Sequence, residues 1–377
     1  MTDRMTDAPQ FEIFLVATPG LEAPLGDEAR RAGFDAKVVE GGVAFAGGWA
    51  EVWRANLELR GATRVLARIA QFRAMHLAQL DKRSRKLPWG AFLKAGVPVS
   101  VEASCRKSKI YHDGAAAQRV ATAPREEFGA TVTDDAEVRV LARIEDDLVT
   151  ISIDTTGESL HKRGHKEAVA RAPMRETMAA MFLAQCGYRG TEPVLDPMCG
   201  SGTFVIEAAE IATGLKPGRT RSFAFEQLKS FDAVAWAALK AGSTAQPTAL
   251  LFFGSDRDAG AVRMAGENAE RAGVTALVRF TERPVEELEA PEGPPGLVIV
   301  NPPYGSRIGH KGPLLLLHRR LGDVLKAKFA GWRVGIITAD AELAKATGLR
   351  FEKPGAPVLH GGIRVTLWQT APLPPRG

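Results

Sequence analysis

The chain has 377 residues, 45% of them hydrophobic, enough for two packed domains with room for a small third unit. No apolar run reaches the roughly 18 residues that span a membrane, Met1–Gln10 is polar and lacks a signal-like core, and Cys105, Cys186 and Cys199 are far apart without CxxC spacing, so a disulfide framework and a cysteine zinc site are excluded and a reducing cytoplasm is expected. The net charge of +5 is mild, but its distribution is not: Arg60–Arg125 holds 14 Lys/Arg against Asp81, Glu102 and Asp113, a local excess of +11 that predicts a face for a polyanion.

The first half reads as short mixed units. Strands are predicted at Phe11–Ala17, Ala36–Phe45 (a pair turned at Gly41-Gly42), Val65–Phe72 and Val97–Ala103, with a hairpin of Val138–Ile144 and Leu148–Ile153. Helices are predicted at Leu21–Ala32, Trp49–Leu59 and Ala115–Ala121. Strands and helices mixed without regular βα repetition indicate an α+β region. A basic stretch, His161-Lys162-Arg163-Gly164-His165-Lys166 with Arg171 and Arg175 beyond it, marks the boundary. His161 and His165 stand i, i+4, but a glycine lies between them in a basic loop, which favours RNA contact or plain surface over a metal; no metal site is expected.

The second half alternates strand and helix with the spacing of a parallel sheet covered on both faces, an α/β Rossmann-like pattern. Strands are predicted at Pro193–Leu195, Ala249–Phe253, Leu277–Phe280, Leu297–Val300, Trp332–Ile337 and Ile363–Gln369. Helices are predicted at Glu176–Gln185, Thr203–Ala212, Asp258–Ala272 and Leu314–Phe329.

Two motifs carry chemistry. Val194-Leu195-Asp196-Pro197-Met198-Cys199-Gly200-Ser201-Gly202-Thr203 lies where a strand ends and a helix begins. Gly200 and Gly202 allow a tight turn and close ligand approach, and the helix N-terminus suits a carboxylate or phosphate. A dinucleotide loop would need glycine at 205, where Val205 stands, so a nicotinamide dehydrogenase fails on this pattern. Asp196, ahead of the glycines, suits a ligand with an ammonium group such as a methionine moiety. Pro197, Cys199 and Thr203 complete the loop, with Cys199 read as packing and not as a nucleophile. Asp256, at the end of the next strand, is the candidate acceptor for two ribose hydroxyls; Asp258 either joins it or only caps the following helix.

The second motif is Val298-Ile299-Val300-Asn301-Pro302-Pro303-Tyr304-Gly305. Two prolines after an apolar strand fix a rigid turn and hold Asn301 at the strand's carboxyl end. The Asn301 side-chain oxygen and the Pro302 carbonyl are each placed to accept one hydrogen of an exocyclic base amine. That turns its lone pair toward an electrophilic methyl and favours the more pyramidal transition state. Tyr304 offers a ring for a flipped or unpaired base, worth about 1–3 kcal/mol. Pro303 stiffens the turn. Asn301 also borders the cofactor, S-adenosylmethionine in this reading.

Together with Gly20-Leu21-Glu22, Gly41-Gly42-Val43 before Phe45, Leu160 to His165 and Ala172-Pro173-Met174-Arg175-Glu176-Thr177, these motifs make the chain resemble the bacterial THUMP-domain RNA methyltransferases that modify guanine at its 2-amino group, in their single-module form. The resemblance covers nearly the whole chain. It implies a ferredoxin-like unit over 1–60, a THUMP RNA-binding domain over 61–160 and a Rossmann-like methyltransferase over 161–377, acting on large-subunit rRNA. RNA contacts are expected from Lys82, Arg83, Arg85, Lys86, Arg106, Lys107, Lys109, Arg163 and Lys166. Relatives often carry Asp near the cofactor adenine where this chain has Pro284. The alternatives are a tRNA guanine-2-amino methyltransferase, an adenine-6-amino methyltransferase and a non-catalytic RNA-binding scaffold. The last would have no use for intact Asp196, Gly200, Gly202, Asp256 and Asn301.

Overall fold

A computed structural model describes residues 10–167, 174–303 and 311–375. In chain order the elements are β1 (Phe11–Val16), α1 (Glu22–Arg31), β2 (Lys37–Val39), β3 (Gly42–Gly47), α2 (Trp49–Glu58), β4 (Arg64–Arg73), α3 (Leu77–Ser84), α4 (Trp89–Phe92), β5 (Val99–Arg106), α5 (Asp113–Phe128), β6 (Val138–Glu145) and β7 (Leu148–Asp154). There follow α6 (Glu176–Gln185), β8 (Val194–Asp196), α7 (Thr203–Ala212), α8 (Ala233–Ala241), β9 (Phe252–Asp256), α9 (Ala259–Ala272), β10 (Val278–Glu282), β11 (Leu297–Val300), α10 (Lys311–Lys328), β12 (Arg333–Thr338), α11 (Ala341–Ala346), β13 (Val358–His360) and β14 (Ile363–Gln369). Among the described residues no helix is long and apolar enough to cross a membrane.

The chain divides into two compact units. The first takes the chain through Ala17, Gly26–Leu160 and Arg221–Gly242. Its sheet has seven strands in the order β2-β3-β1-β4-β7-β6-β5, with only β5 and β6 parallel. The long strand β4 joins β1 on one side to β7 on the other, so the two blocks of the first half share one sheet. The β6–β7 hairpin turns at Asp146 and Asp147, whose φ values of 49° and 61° are the left-handed pair such a turn requires and that Asp tolerates.

Helix α5 is longer than its sequence suggests, running past Pro124 to a left-handed Gly129 cap. Pro124 removes one helical N–H, but it is buried with Val120, Ala121 and Ala123, and that burial offsets the lost bond. Helices α3, α4, α8 and α11 and strand β13 were not expected. Each is short or lacks a strong apolar period.

The second unit comprises Thr18–Leu25, His161–Thr220 and the chain from Ser243. Its sheet order is β10-β9-β8-β11-β12-β14-β13. The strands from β10 to β12 are parallel, as expected for a Rossmann-like fold. The final strand differs: β14 runs antiparallel to β12 and β13, because a turn at Gly361-Gly362 joins β13 to β14 with no crossover helix. Strand β11, Leu297–Val300, is buried throughout, the mark of a central parallel strand. With Leu195, Val334 and Ile336 it meets Leu321 and Leu325 of α10 and Phe329 just past that helix. Each such side chain contributes about 1.5–3 kcal/mol by burial. The strand order reverses between β8 and β11. Open α/β sheets place their ligands at that switch point, outside the strands' carboxyl ends.

Candidate functional site

Strand β8 delivers Asp196 to the carboxyl edge, where the residue is only 2% exposed. Its Oδ1 accepts the Met198 N–H at 3.0 Å. The loop then folds on itself. Cys199 N–H donates to the Ser255 carbonyl at 2.9 Å, and Gly202 N–H to the Cys199 carbonyl at 2.8 Å. Gly202 has φ 84°, and a Cβ there would stand 3.0 Å from both Ala265 Cβ and Phe280 Cζ, so glycine is required for conformation and space alike. Being glycine, it leaves the first N–H groups of α7 without a side-chain cap, open to an anion. Asn268 Nδ2, buried, braces the loop from α9 by donating to the Ser201 carbonyl at 3.0 Å. Pro197 and Thr203 are also buried in this turn.

Asp256 closes the other side at the end of β9. Its Oδ2 accepts the Gly200 N–H at 3.0 Å and its Oδ1 the Asp258 N–H at 3.1 Å. Asp258 itself caps α9, accepting from Gly260 N–H at 2.7 Å. Burial pushes the Asp196 carboxyl up to about 8, with the nearby Asp256 charge adding to the rise and the Met198 hydrogen bond opposing it. A cationic ligand would return Asp196 to its ionised form. Burial also pushes the Cys199 thiol well above its usual range, which leaves it neutral and inert and suits packing.

Asn301 follows β11. Strands β8 and β11 pair in parallel, with Leu195 opposite Val298, so Asn301 projects beyond the same edge as Asp196. Its Oδ1 is buried and has no hydrogen-bond partner among the described residues. An unsatisfied buried acceptor costs about 1–3 kcal/mol, and a donor supplied by a ligand removes that cost. Pro302 is buried beside it and Pro303 half-buried. Tyr304 lies outside the described residues, as do Arg171, Ala172 and Pro173. Other buried hydroxyls unpartnered among the described residues include Ser255 on β9 and Thr177 in the first turn of α6. The sequence marked neither as a site residue, because an unsatisfied hydroxyl shows only once its surroundings are packed. At Pro284 the chain starts a 3₁₀ turn, Val285–Glu287. The adjoining Arg283 N–H donates to the Asp256 carbonyl at 2.8 Å, and Glu286 pairs with Arg320 at 2.5 Å.

The expected RNA-contact residues separate into groups. Arg163 and Lys166 are not surface cations, contrary to expectation. Arg163 is 2% exposed and pairs with Glu207 at 3.1 Å. Lys166 is enclosed by Met174, Glu176 and Thr203. His165 is also buried, its carbonyl accepting from Arg271 Nε at 2.8 Å. The buried acids offset the desolvation of these bases. Arg85 is engaged by Asp81, Glu126 and Glu127 at 2.6–3.0 Å.

By contrast Lys82, Arg83 and Lys86 are exposed and have no carboxylate partner among the described residues. With Phe72, His76, Ala78 and Gln79 they line an open cleft of about 760 Å³ with no acid in its wall. Arg106 lies loosely between Glu40 and Glu145 at 3.8 and 3.7 Å. Lys107 is exposed, and Lys109 Nζ sits 3.7 Å from Met75 Sδ. Between these basic residues and α5 stands Tyr111, 84% exposed, which the sequence reading passed over. The signal was there: an aromatic residue in a loop of lysines.

The comparisons with known proteins agree with this geometry. The family model for an RMKL-like methyltransferase domain matches residues 163–367, and that for an RlmL ferredoxin-like domain matches residues 12–66. The chain is similar to "Ribosomal RNA large subunit methyltransferase K/L" of Syntrophotalea carbinolica, with 37% identity over 369 residues, 92% of this chain and 52% of that protein. It therefore spans about half the length of this curated relative. Among solved structures it is similar to a candidate methyltransferase, SMU.472, complexed with SAH, at 28% identity and TM-score 0.88, covering 98% of this chain and 99% of that one. It is likewise similar to a predicted N6-adenine-specific DNA methylase from Listeria monocytogenes, at 32% identity and TM-score 0.87, covering 96% of each. The sheet order, the glycine loop at Asp196 and a family model spanning more than half the sequence together show that the chain belongs to the RMKL-like methyltransferase family.

Proposed function

We propose that the chain is an S-adenosylmethionine-dependent RNA methyltransferase acting on the exocyclic 2-amino group of a guanosine, with large-subunit rRNA as the substrate class. The observation that carries the reading is the buried Oδ1 of Asn301, unpartnered among the described residues and set beyond the same sheet edge as the Asp196 loop. Its surroundings fit the cofactor. Asp196 is a buried carboxyl suited to an ammonium, α7 offers free N–H groups to a carboxylate, and Asp256 stands where a ribose is held. When bound, the cofactor supplies an electrophilic methyl. The chain's own part is to position the amine. Asn301 Oδ1 and the Pro302 carbonyl accept its two hydrogens, draw its lone pair out of the ring and aim it. No strong base is required, since the amine becomes acidic as it is alkylated.

The RNA reading is supported by the cleft of Lys82, Arg83 and Lys86, by exposed Tyr111 and by the name of the Syntrophotalea relative. In this reading residues 61–160 form the THUMP region. The test is methyl transfer from isotope-labelled cofactor to separate rRNA and tRNA pools taken from cells lacking the gene, followed by nucleoside mass spectrometry. Label in 2-amino-methylguanosine from large-subunit rRNA is expected. Label from tRNA alone would move the substrate class, label in methyladenosine would move the base, and no label despite cofactor binding would overturn the reading for free RNA.

A further inference from the structure

Lys166 is a buried ammonium. Its side chain is 10% exposed, and all three of its donors are engaged: with the Met174 carbonyl at 2.7 Å, Thr203 Oγ1 at 2.9 Å and Glu176 Oε1 at 3.3 Å. These partners come from three places. Met174 immediately precedes the N-cap of α6, Glu176 begins that helix, and Thr203 is the first residue of α7 behind Gly202. The void beside them, about 10 Å³ and walled in part by His165, Glu207 and Asn268, is the size of one water at most, so the ammonium has no second seat there.

We infer that Lys166 is a positioning residue for the cofactor: by donating to Thr203 Oγ1 it fixes that hydroxyl as an outward donor at the N-terminus of α7, where the cofactor's carboxylate is held. The inference rests on the cofactor reading given above. A threonine hydroxyl has one hydrogen and two acceptor sites. With Lys166 on an acceptor site, the hydrogen points away from Lys166, and no acceptor takes it among the described residues. Gly202 provides no side chain for the same helix end, so the Thr203 hydroxyl adds a side-chain donor beside the open backbone N–H groups. Glu176 balances the ammonium, so Lys166 acts by orientation and not by net field. The same ammonium holds the chain ahead of α6 to the cofactor turn, which ties that turn's geometry to the segment entering the methyltransferase sheet.

The test is calorimetric binding of SAH by the whole chain, with the melting temperature recorded for each variant. Wild type, Lys166→Met, Thr203→Val and the double variant are compared well below their melting points. Each single change is expected to weaken SAH by roughly tenfold, the scale of a charge-assisted hydrogen bond. The double variant is expected to be no weaker than the worse single, because both remove one interaction. A merely structural lysine would lower the melting temperature and leave affinity within about twofold; that result overturns the inference, as would fully multiplicative losses. If Lys166→Met fails to fold, Thr203→Val decides, and unchanged SAH affinity in it overturns the inference. Failure of the wild type to bind SAH would instead overturn the cofactor reading.

Discussion

Asn301 and Asp196 make opposite demands on what binds between them. Asn301 offers an acceptor that no donor among the described residues reaches, and Asp196 a carboxyl that burial holds protonated near neutral pH. On the proposed function the first demand belongs to the substrate. Asn301→Ala should lower kcat by about 10²–10³-fold while SAH affinity stays within about twofold; retained turnover would remove Asn301 from the chemistry. On the same proposal the second belongs to the cofactor, and it has a sign. The folded Asp196 pKa lies above the ordinary carboxylate value, so the folded state holds its proton more tightly. Apo stability is therefore lost as pH rises from about 4 toward about 8. An ammonium ligand selects the ionised form, so SAH should bind more tightly with rising pH up to about 8, by at most about tenfold per unit. Calorimetry at stepped pH tests this, and a flat profile in the wild type would mean that Asp196 meets no cation. Asp196→Asn should bind weakly with no such slope. Both residues were legible in the sequence because each sits beside a backbone device, a glycine turn or a proline pair, that has few other uses. Arg163 and Lys166 were misread for the converse reason. A run of His, Lys and Arg looks solvated, and the acids that bury it, Glu176 and Glu207, lie further along the chain.

At the scale of elements, α3 shows how a charge excess is resolved by three-dimensional pairing. Of the bases counted in the +11 stretch, Arg64 pairs with Asp154, Arg68 with Glu12 and Arg85 with three acids, several of them from outside the stretch. Among the bases left for a polyanion, Lys82, Arg83 and Lys86 share one face and one cleft. Changing all three to Gln should weaken rRNA binding and reduce the slope of log affinity against log salt by about 2–3, close to one for each phosphate no longer neutralised. Arg85→Gln, one position away, should leave that slope unchanged. Salt titrations on both variants decide it, and equal slopes for the two would mean that the cleft does not face RNA. Helix α3 escaped the sequence reading because its buried stripe is only Leu80 and Ser84. With only eight residues, half of them charged or amide, it is too short for its apolar spacing to stand out from a loop. The first and last strands of the Rossmann-like sheet were located closely because strand apolarity and turn glycines agree there. The antiparallel edge required knowing that Gly361-Gly362 closes a hairpin.

At the scale of the whole molecule, sequence order and compact units part company at residues 221–242. This segment lies between α7 and β9 and within the matched methyltransferase model, yet it packs in the first unit. The attachment is aromatic. Phe225 stacks on Trp53 at 6.0 Å and on Phe223 at 5.2 Å, and Trp236 stands edge-on to Phe225 at 5.0 Å and to Phe223 at 5.7 Å. Arg221 lies over the Phe223 ring at 4.9 Å and donates to the Ser159 carbonyl at 3.0 Å, while Phe225 N–H donates to the Thr155 carbonyl at 3.0 Å. Phe223 and Phe225 are essentially unexposed, and Trp236 is 5% exposed. Such rings carry a large share of a small unit's burial energy, so part of the first unit's core is encoded after the strand that opens the second. Trp236→Ala should therefore destabilise the first unit by about 3–5 kcal/mol, the range for a buried Trp truncated to a cavity. Amide hydrogen exchange on the full chain would show where: protection should fall in α2, β4 and β7. Unchanged protection there would mean that the segment merely rests on the first unit, and that the unit's stability is complete without it.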